Sequence, residues 1–192
     1  MTFNSIIGAS ARGMVFVSIH PRLITGSPDT QAEALAELLR TCRLPPEQVV
    51  VEISSDAIGD DTTKRNWFEA LFRNYRRYGL RVALAGLPVD HGTLEFLWQL
   101  WPDIIKLNRT IVIRAETDIP WRRHLTRIIG LVRELYGIKF LAQGIADPQQ
   151  ADIARACGIE LLQGPYYEFP WALPHAIRSR AAYSPAGLAW AV

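Results

Sequence analysis

The chain has 192 residues, 49% of them hydrophobic and 21% charged, the balance of a globular domain that buries a core of its own without disulfide or metal staples. Its 21 Lys and Arg stand against 19 Asp and Glu, a net charge of +2, which argues against nucleic acid as a partner. No apolar run reaches the ~18 residues of a membrane helix, and the first dozen residues lack the pattern of a secretion signal.

In chain order, short apolar β-branched runs alternate with longer segments of helical period, the pattern of a parallel sheet with crossover helices. Strands are predicted at 14–19, 49–53, 81–84, 104–107, 139–142 and 161–163, and helices at 30–42, 63–78, 92–100, 121–136 and 148–157. Asp29 stands just before the first helix, Asp90 reads as the N-cap of the third, and Asp147-Pro148 as an N-cap followed by proline at the first helical position. Gly79, Gly137 and Gly158 each follow a helix end. The clusters Arg73–Arg76–Arg77 and Arg122–Arg123–Arg127 fall inside helical segments and read as solvated faces. Cys42 and Cys157 have no cysteine nearby to make a redox or metal motif, which fits a reducing, cytoplasmic setting. Six β–helix units predict a (β/α) barrel or an open doubly wound sheet, and periodicity does not separate the two. Residues 174–192, rich in Ala and Pro, are expected to pack on the body as a tail, so that residues 1–192 form one domain.

The residues at the strand ends carry a more specific signal. The stretch from Val15 to Leu23 (VFVSIHPRL) resembles the vNlSprql block of EAL-domain cyclic di-GMP phosphodiesterases, and Val51 to Ser55 (VEISS) resembles lEiTE. Val82 to Pro88 with Thr93-Leu94 stands where that family has iaiDDFGtGySSL, and Pro102 to Asn108 (PDIIKLN) resembles pvDviKiD. Leu141 to Ala146 (LAQGIA) resembles vAEGVE, and Leu162 to Pro170 (LQGPYYEFP) resembles QGyyfsrP. Six blocks in the right order identify the chain as an EAL-like domain with its core at 14–170. The fold this implies is an incomplete or modified TIM-type (β/α) barrel of about six βα units.

What the resemblance implies about chemistry is mostly loss. Such enzymes hold divalent cations that grip the scissile phosphate and activate water, and hard cations need several converging oxygen ligands. Here the adjacent aspartates are Ala85 and Gly86, the block asparagine is Ser18, the AEGVE carboxylates are Gln143 and Ala146, and Ser55 and Asn108 replace further acids. The namesake strand is not found before Ser18; Glu33-Ala34-Leu35 and Glu69-Ala70-Leu71 lie in helical segments, so an N-terminally shortened domain is expected, with residues 2–9 able to supply one strand. The remnant of the family site is Glu52, Asp103, Lys106, Gln163 and Pro170. By resemblance Glu52 is a metal ligand and Lys106 serves the attacking water or the phosphate. With one carboxylate and one ammonium left, two outcomes stay open: a mutual ion pair across the barrel mouth, or residual ligand contact.

Asp90 and His91 are read as helix-start residues, and His20, His124 and His175 have no partner at metal-ligand spacing, so no metal or cofactor is expected. The function expected is a catalytically inactive regulatory domain in bacterial signalling that acts through protein–protein interaction. The alternative is a cyclic di-GMP receptor without hydrolysis, with Lys106, Gln163, Tyr166 and Pro170 as nucleotide contacts; an active phosphodiesterase ranks third. Another protein, or self-association, is expected to close the open side of the barrel, and the tryptophans Trp67, Trp98, Trp101 and Trp121 are candidates for contact or for core.

Overall fold

The computed structural model describes residues 13–19, 26–58, 61–86 and 99–167. Strands β1 (Val15–Ser18), β2 (Val49–Ser54), β3 (Arg81–Ala85), β4 (Ile104–Leu107), β5 (Lys139–Gln143) and β6 (Leu161–Gln163) form one sheet in the order β1-β2-β3-β4-β5-β6. All neighbours are parallel. Because each strand pairs with its sequence neighbour, the sheet curls into a half-barrel with helices on its outside. The helices are α1 (Pro28–Thr41), α2 (Ser55–Ile58), α3 (Thr62–Arg77), α4 (Arg109–Thr117), α5 (Ile119–Tyr136) and α6 (Pro148–Ala156). The expected strand at 2–9, most of the helix at 92–100, the caps at Asp90 and His91, His20, Trp98, His175, Pro170 and the tail at 174–192 lie outside the described residues.

Strand alternation divides the apolar residues between two cores. Val51, Ile53, Val82, Leu84, Ile105, Leu107, Phe140 and Ala142 face outward, where Phe68, Leu71, Phe72, Tyr75, Leu125, Ile129 and Val132 of the helices cover them. Val50, Ala83, Ile104 and Leu141, with half-buried Met14, Phe16 and Leu161, form a smaller cluster on the concave side. Burial on both faces explains why the strands read as near-continuous apolar runs.

Polar residues punctuate the helices. Ser27 caps α1 in a reciprocal pair with Thr30, and Pro28 takes the first helical position. The N-cap therefore falls two residues before Asp29, which sits in the first turn and accepts from Asn74 Nδ2 at 2.9 Å. Asp61, Asn108, Asp118 and Asp147 cap α3, α4, α5 and α6 through their side-chain oxygens. Helices α2 and α4 were not among the predicted elements. The run Ile111-Val112-Ile113 is β-branched and favours extended backbone; it is helical because Asn108 starts the turn and Val112 and Ala115 are buried against the core. The triplets Glu33-Ala34-Leu35 and Glu69-Ala70-Leu71 lie within α1 and α3.

The last turn is locked to the one before it. The Ile145 amide donates to the Gln163 carbonyl at 3.0 Å, and the Tyr166 amide donates to the Ile145 carbonyl at 3.0 Å. Gly164 lies between these bonds, so close that a Cβ there would stand 2.3 Å from both the nitrogen and the oxygen of Ile145. Neither backbone atom can move without giving up a hydrogen bond. Gly164→Ala is expected to destabilise the chain by about 3 kcal/mol, the upper range for overpacking, measured as a fall in the urea midpoint at unchanged slope.

Candidate functional site

Partners in a parallel sheet share a face, so the register lists the side chains of the concave mouth. One row runs Ser18, Glu52, Ala83, Ile104; the next runs Ser54, Ala85, Lys106, Leu141, Leu161; Gln143 and Gln163 pair one pleat further on. Glu52 and Lys106 are thus two strands apart and one pleat out of step. They meet because β3 between them offers only methyl groups, Ala83 and Ala85, over which two long side chains can reach.

The contact is tight. Lys106 Nζ donates to Glu52 Oε2 at 2.5 Å, with side-chain exposures of 3% and 15%. The Phe16 ring lies against the same ammonium, its centroid 5.2 Å away, a cation–π contact that gains from desolvation. Of the two outcomes left open by the sequence, the ion pair is the one formed. Phe16 was missed by sequence reasoning, although its alternation with Ser18 on β1 places it on the concave face.

The other described strand-end positions of these rows carry no charge. Gly86, at φ 79°, turns the chain out of β3 in the left-handed region that favours glycine. Asn108 Oδ1 accepts from the Thr110 amide at 3.3 Å and is committed to capping α4. Gln143 is exposed, and beside it the Gln163 Oε1 is enclosed with no donor among the described residues. Tyr166 follows β6, 43% exposed, packed edge-on against Tyr167 at 5.0 Å. Tyr167 accepts a hydrogen bond from Arg155 Nη2 at 3.1 Å, and desolvation raises its hydroxyl above the ordinary value.

Asp103 does not belong to this group. It precedes β4 at the amino end of the sheet, where its carboxylate accepts from the Val82 amide at 2.8 Å and lies 3.8 Å from Arg76 Nε. Its own amide donates to the Val82 carbonyl, and its carbonyl accepts from the Lys139 amide. Arg76 also donates to the Trp101 carbonyl; burial lowers its guanidinium below the ordinary value, and Asp103 opposes that shift. Asp103 therefore joins β3, β4, β5 and α3, a structural role that corrects its assignment to the site.

A metal ion of the kind the family resemblance implies does not fit the donors described here. Among the described residues no three His, Cys, Asp or Glu side chains come together to hold a cation. Glu52, the carboxylate on these strand rows, is already paired with Lys106. His124 lies beside Trp121, their ring centroids 5.7 Å apart, on α5 outside the sheet.

Comparison with known proteins agrees with the block pattern. The EAL domain matches residues 8–170. The probable cyclic di-GMP phosphodiesterase PdeD of Escherichia coli K12 is 25% identical over 130 residues, 67% of this chain and 23% of that protein. The cyclic di-GMP phosphodiesterase PdeL of the same organism is 27% identical over 101 residues, 53% of this chain and 28% of that protein. The matches span about a quarter of the length of these curated relatives. Among solved structures, the FimX EAL domain of Xanthomonas citri in complex with c-di-GMP superposes with a TM-score of 0.72 at 17% identity, covering 83% of this chain and 60% of that one. A standalone EAL protein of Vibrio cholerae O395, in its c-di-GMP-bound form, gives 0.71 at 18%, covering 86% and 67%. At these identities the likeness is one of fold, and the EAL structural neighbours are TIM-type barrels.

Removing one member of the buried pair leaves the other charge uncompensated. Glu52→Gln is expected to cost about 3 kcal/mol, and Lys106→Met added to it is expected to restore most of that loss, since an apolar replacement of both partners is often near neutral. Urea unfolding of the four chains of this cycle measures the coupling; additive losses would mean that the pair is not a unit.

Proposed function

The chain belongs to the EAL-domain family, and on that premise we propose that it is a catalytically inactive EAL-like regulatory domain in bacterial signalling, acting through protein–protein interaction. The observation that carries this reading is the buried Lys106–Glu52 pair. Two-metal hydrolysis asks for several carboxylates to hold the cations and for a charge left available to water or phosphate. Here the ammonium and the carboxylate of the strand rows satisfy each other. At the neighbouring positions stand Ala85, Gly86, Gln143 and Asn108, which add no negative charge.

The interaction role is supported by apolar surface on the outside of the barrel. Leu131, Leu135, Ile119 and Trp101 are 43%, 58%, 57% and 46% exposed, while Trp67 and Trp121 pack against the core. Among the described residues β1 and β6 are each paired on one side only, which supports the expectation that a partner or a second copy covers an open side. No described helix is long and apolar enough to cross a membrane.

A specific observation favours one second reading, a receptor that binds cyclic di-GMP without cleaving it. The enclosed Gln163 Oε1 lacks a donor, and a buried acceptor left open asks for a ligand N–H or a water; Tyr166 offers an exposed ring nearby in sequence. Incubation of the chain with cyclic di-GMP and Mg²⁺ or Mn²⁺ is expected to give no hydrolysis above a protein-free control, and calorimetry with the same nucleotide is expected to give no heat. Micromolar binding without turnover would favour the receptor. Turnover abolished by Glu52→Ala would overturn both readings.

A further inference from the structure

Resting on the reading above, we propose that Lys106 is an anion site filled from within: the Glu52 carboxylate occupies the place of a ligand phosphate, and so acts as the residue that keeps phosphate out of the mouth. The Lys106 side chain is 3% exposed, and a charge at that depth persists only with a counter-ion in contact. Glu52 supplies that counter-ion at 2.5 Å, and the Phe16 ring lies 5.2 Å away.

Among the described residues, the strand positions around the pair add no further charge. Ser18, Ser54, Ala83, Ala85, Leu141, Leu161, Gln143 and Gln163 share the concave face, and none of them is charged. Glu52 at −1 and Lys106 at +1 sum to zero. A phosphate entering this mouth meets a neutral pair, or else it must displace a carboxylate whose side chain is itself only 15% exposed; the other described strand cations of this face, Arg81 and Lys139, stand at the opposite, amino end of their strands. Displacement trades one buried ion pair for another and strands a charge, which is unfavourable.

The gate is therefore a single carboxylate, and its removal should open the site. Glu52→Gln keeps the volume and a hydrogen-bond acceptor but leaves the ammonium without a counter-ion. An external phosphate then replaces what the mutation took away.

The test is thermal unfolding of the full chain while inorganic phosphate is raised against chloride at matched ionic strength, with neither metal nor nucleotide present. Glu52→Gln is expected to melt below wild type and to regain about 3–5 °C at a phosphate concentration roughly ten times its dissociation constant. Wild type is expected not to respond, and the double variant Glu52→Gln/Lys106→Met likewise. If Glu52→Gln does not fold, Glu52→Asp serves: its carboxylate is one methylene short of contact, and a phosphate response weaker than that of an open site but absent in wild type is expected. Equal responses of wild type and variant, or none in either variant, would overturn the proposal. Cyclic di-GMP hydrolysis by wild type would sink the functional reading instead, and that assay shares no component with this one except the protein.

Discussion

A positive charge placed at the centre of a parallel strand has to be neutralised where it stands. Lys106 lies between Ile105 and Leu107 on β4, inside the curl of the sheet, where water does not reach it. The rest of the concave face is arranged around that constraint. Glu52 is the partner, although it belongs to a strand two places away; parallel strands lie ~4.8 Å apart, so the two backbones are separated by about 10 Å. Two long side chains span that gap only if the strand between them carries nothing large. Ala83 and Ala85 meet that condition, and Phe16 packs on the remaining side. Ala85, which by the family resemblance stands where an aspartate is expected, adds no cation ligand and leaves room for the pair.

The same constraint links the fold to the proposed function. On the proposed reading, a lysine and a glutamate that hold each other are not available to a metal or a phosphate. That reading leaves the outside of the barrel, with its exposed leucines and Trp101, as the surface that acts. The carboxyl-end turns retain the shape of a binding face: Gly164 presses against Ile145, and Gln163 keeps an acceptor open.

Much of the fold was legible in the sequence, because burial on both faces makes each strand a short apolar run and the caps mark the helix starts. All six strands were found, with boundaries within one residue. What was not legible has physical reasons. Helix α4 was hidden by its β-branched run, whose helical state depends on the Asn108 cap and on burial of Val112. The cap of α1 is Ser27, because Pro28 presets the helical turn and so draws Asp29 into the first turn. Asp103 stood in a site block by resemblance. Three residues from Lys106 on a strand, however, is about 10 Å along it and on the opposite face, so the spacing alone separates the two. The Lys106–Glu52 contact could be named only as one of two outcomes, since pairing two strands apart depends on register and on the small residues between.

If Glu52 is taken by Lys106, it is not free to bind a divalent cation. The electron paramagnetic resonance signal of aqueous Mn²⁺ falls as the ion enters a protein site, so titration of Mn²⁺ with the chain reads this out. No loss of signal is expected at a stoichiometric ratio of Mn²⁺ to protein. A stoichiometric loss that disappears in Glu52→Gln would show Glu52 to be a metal ligand instead.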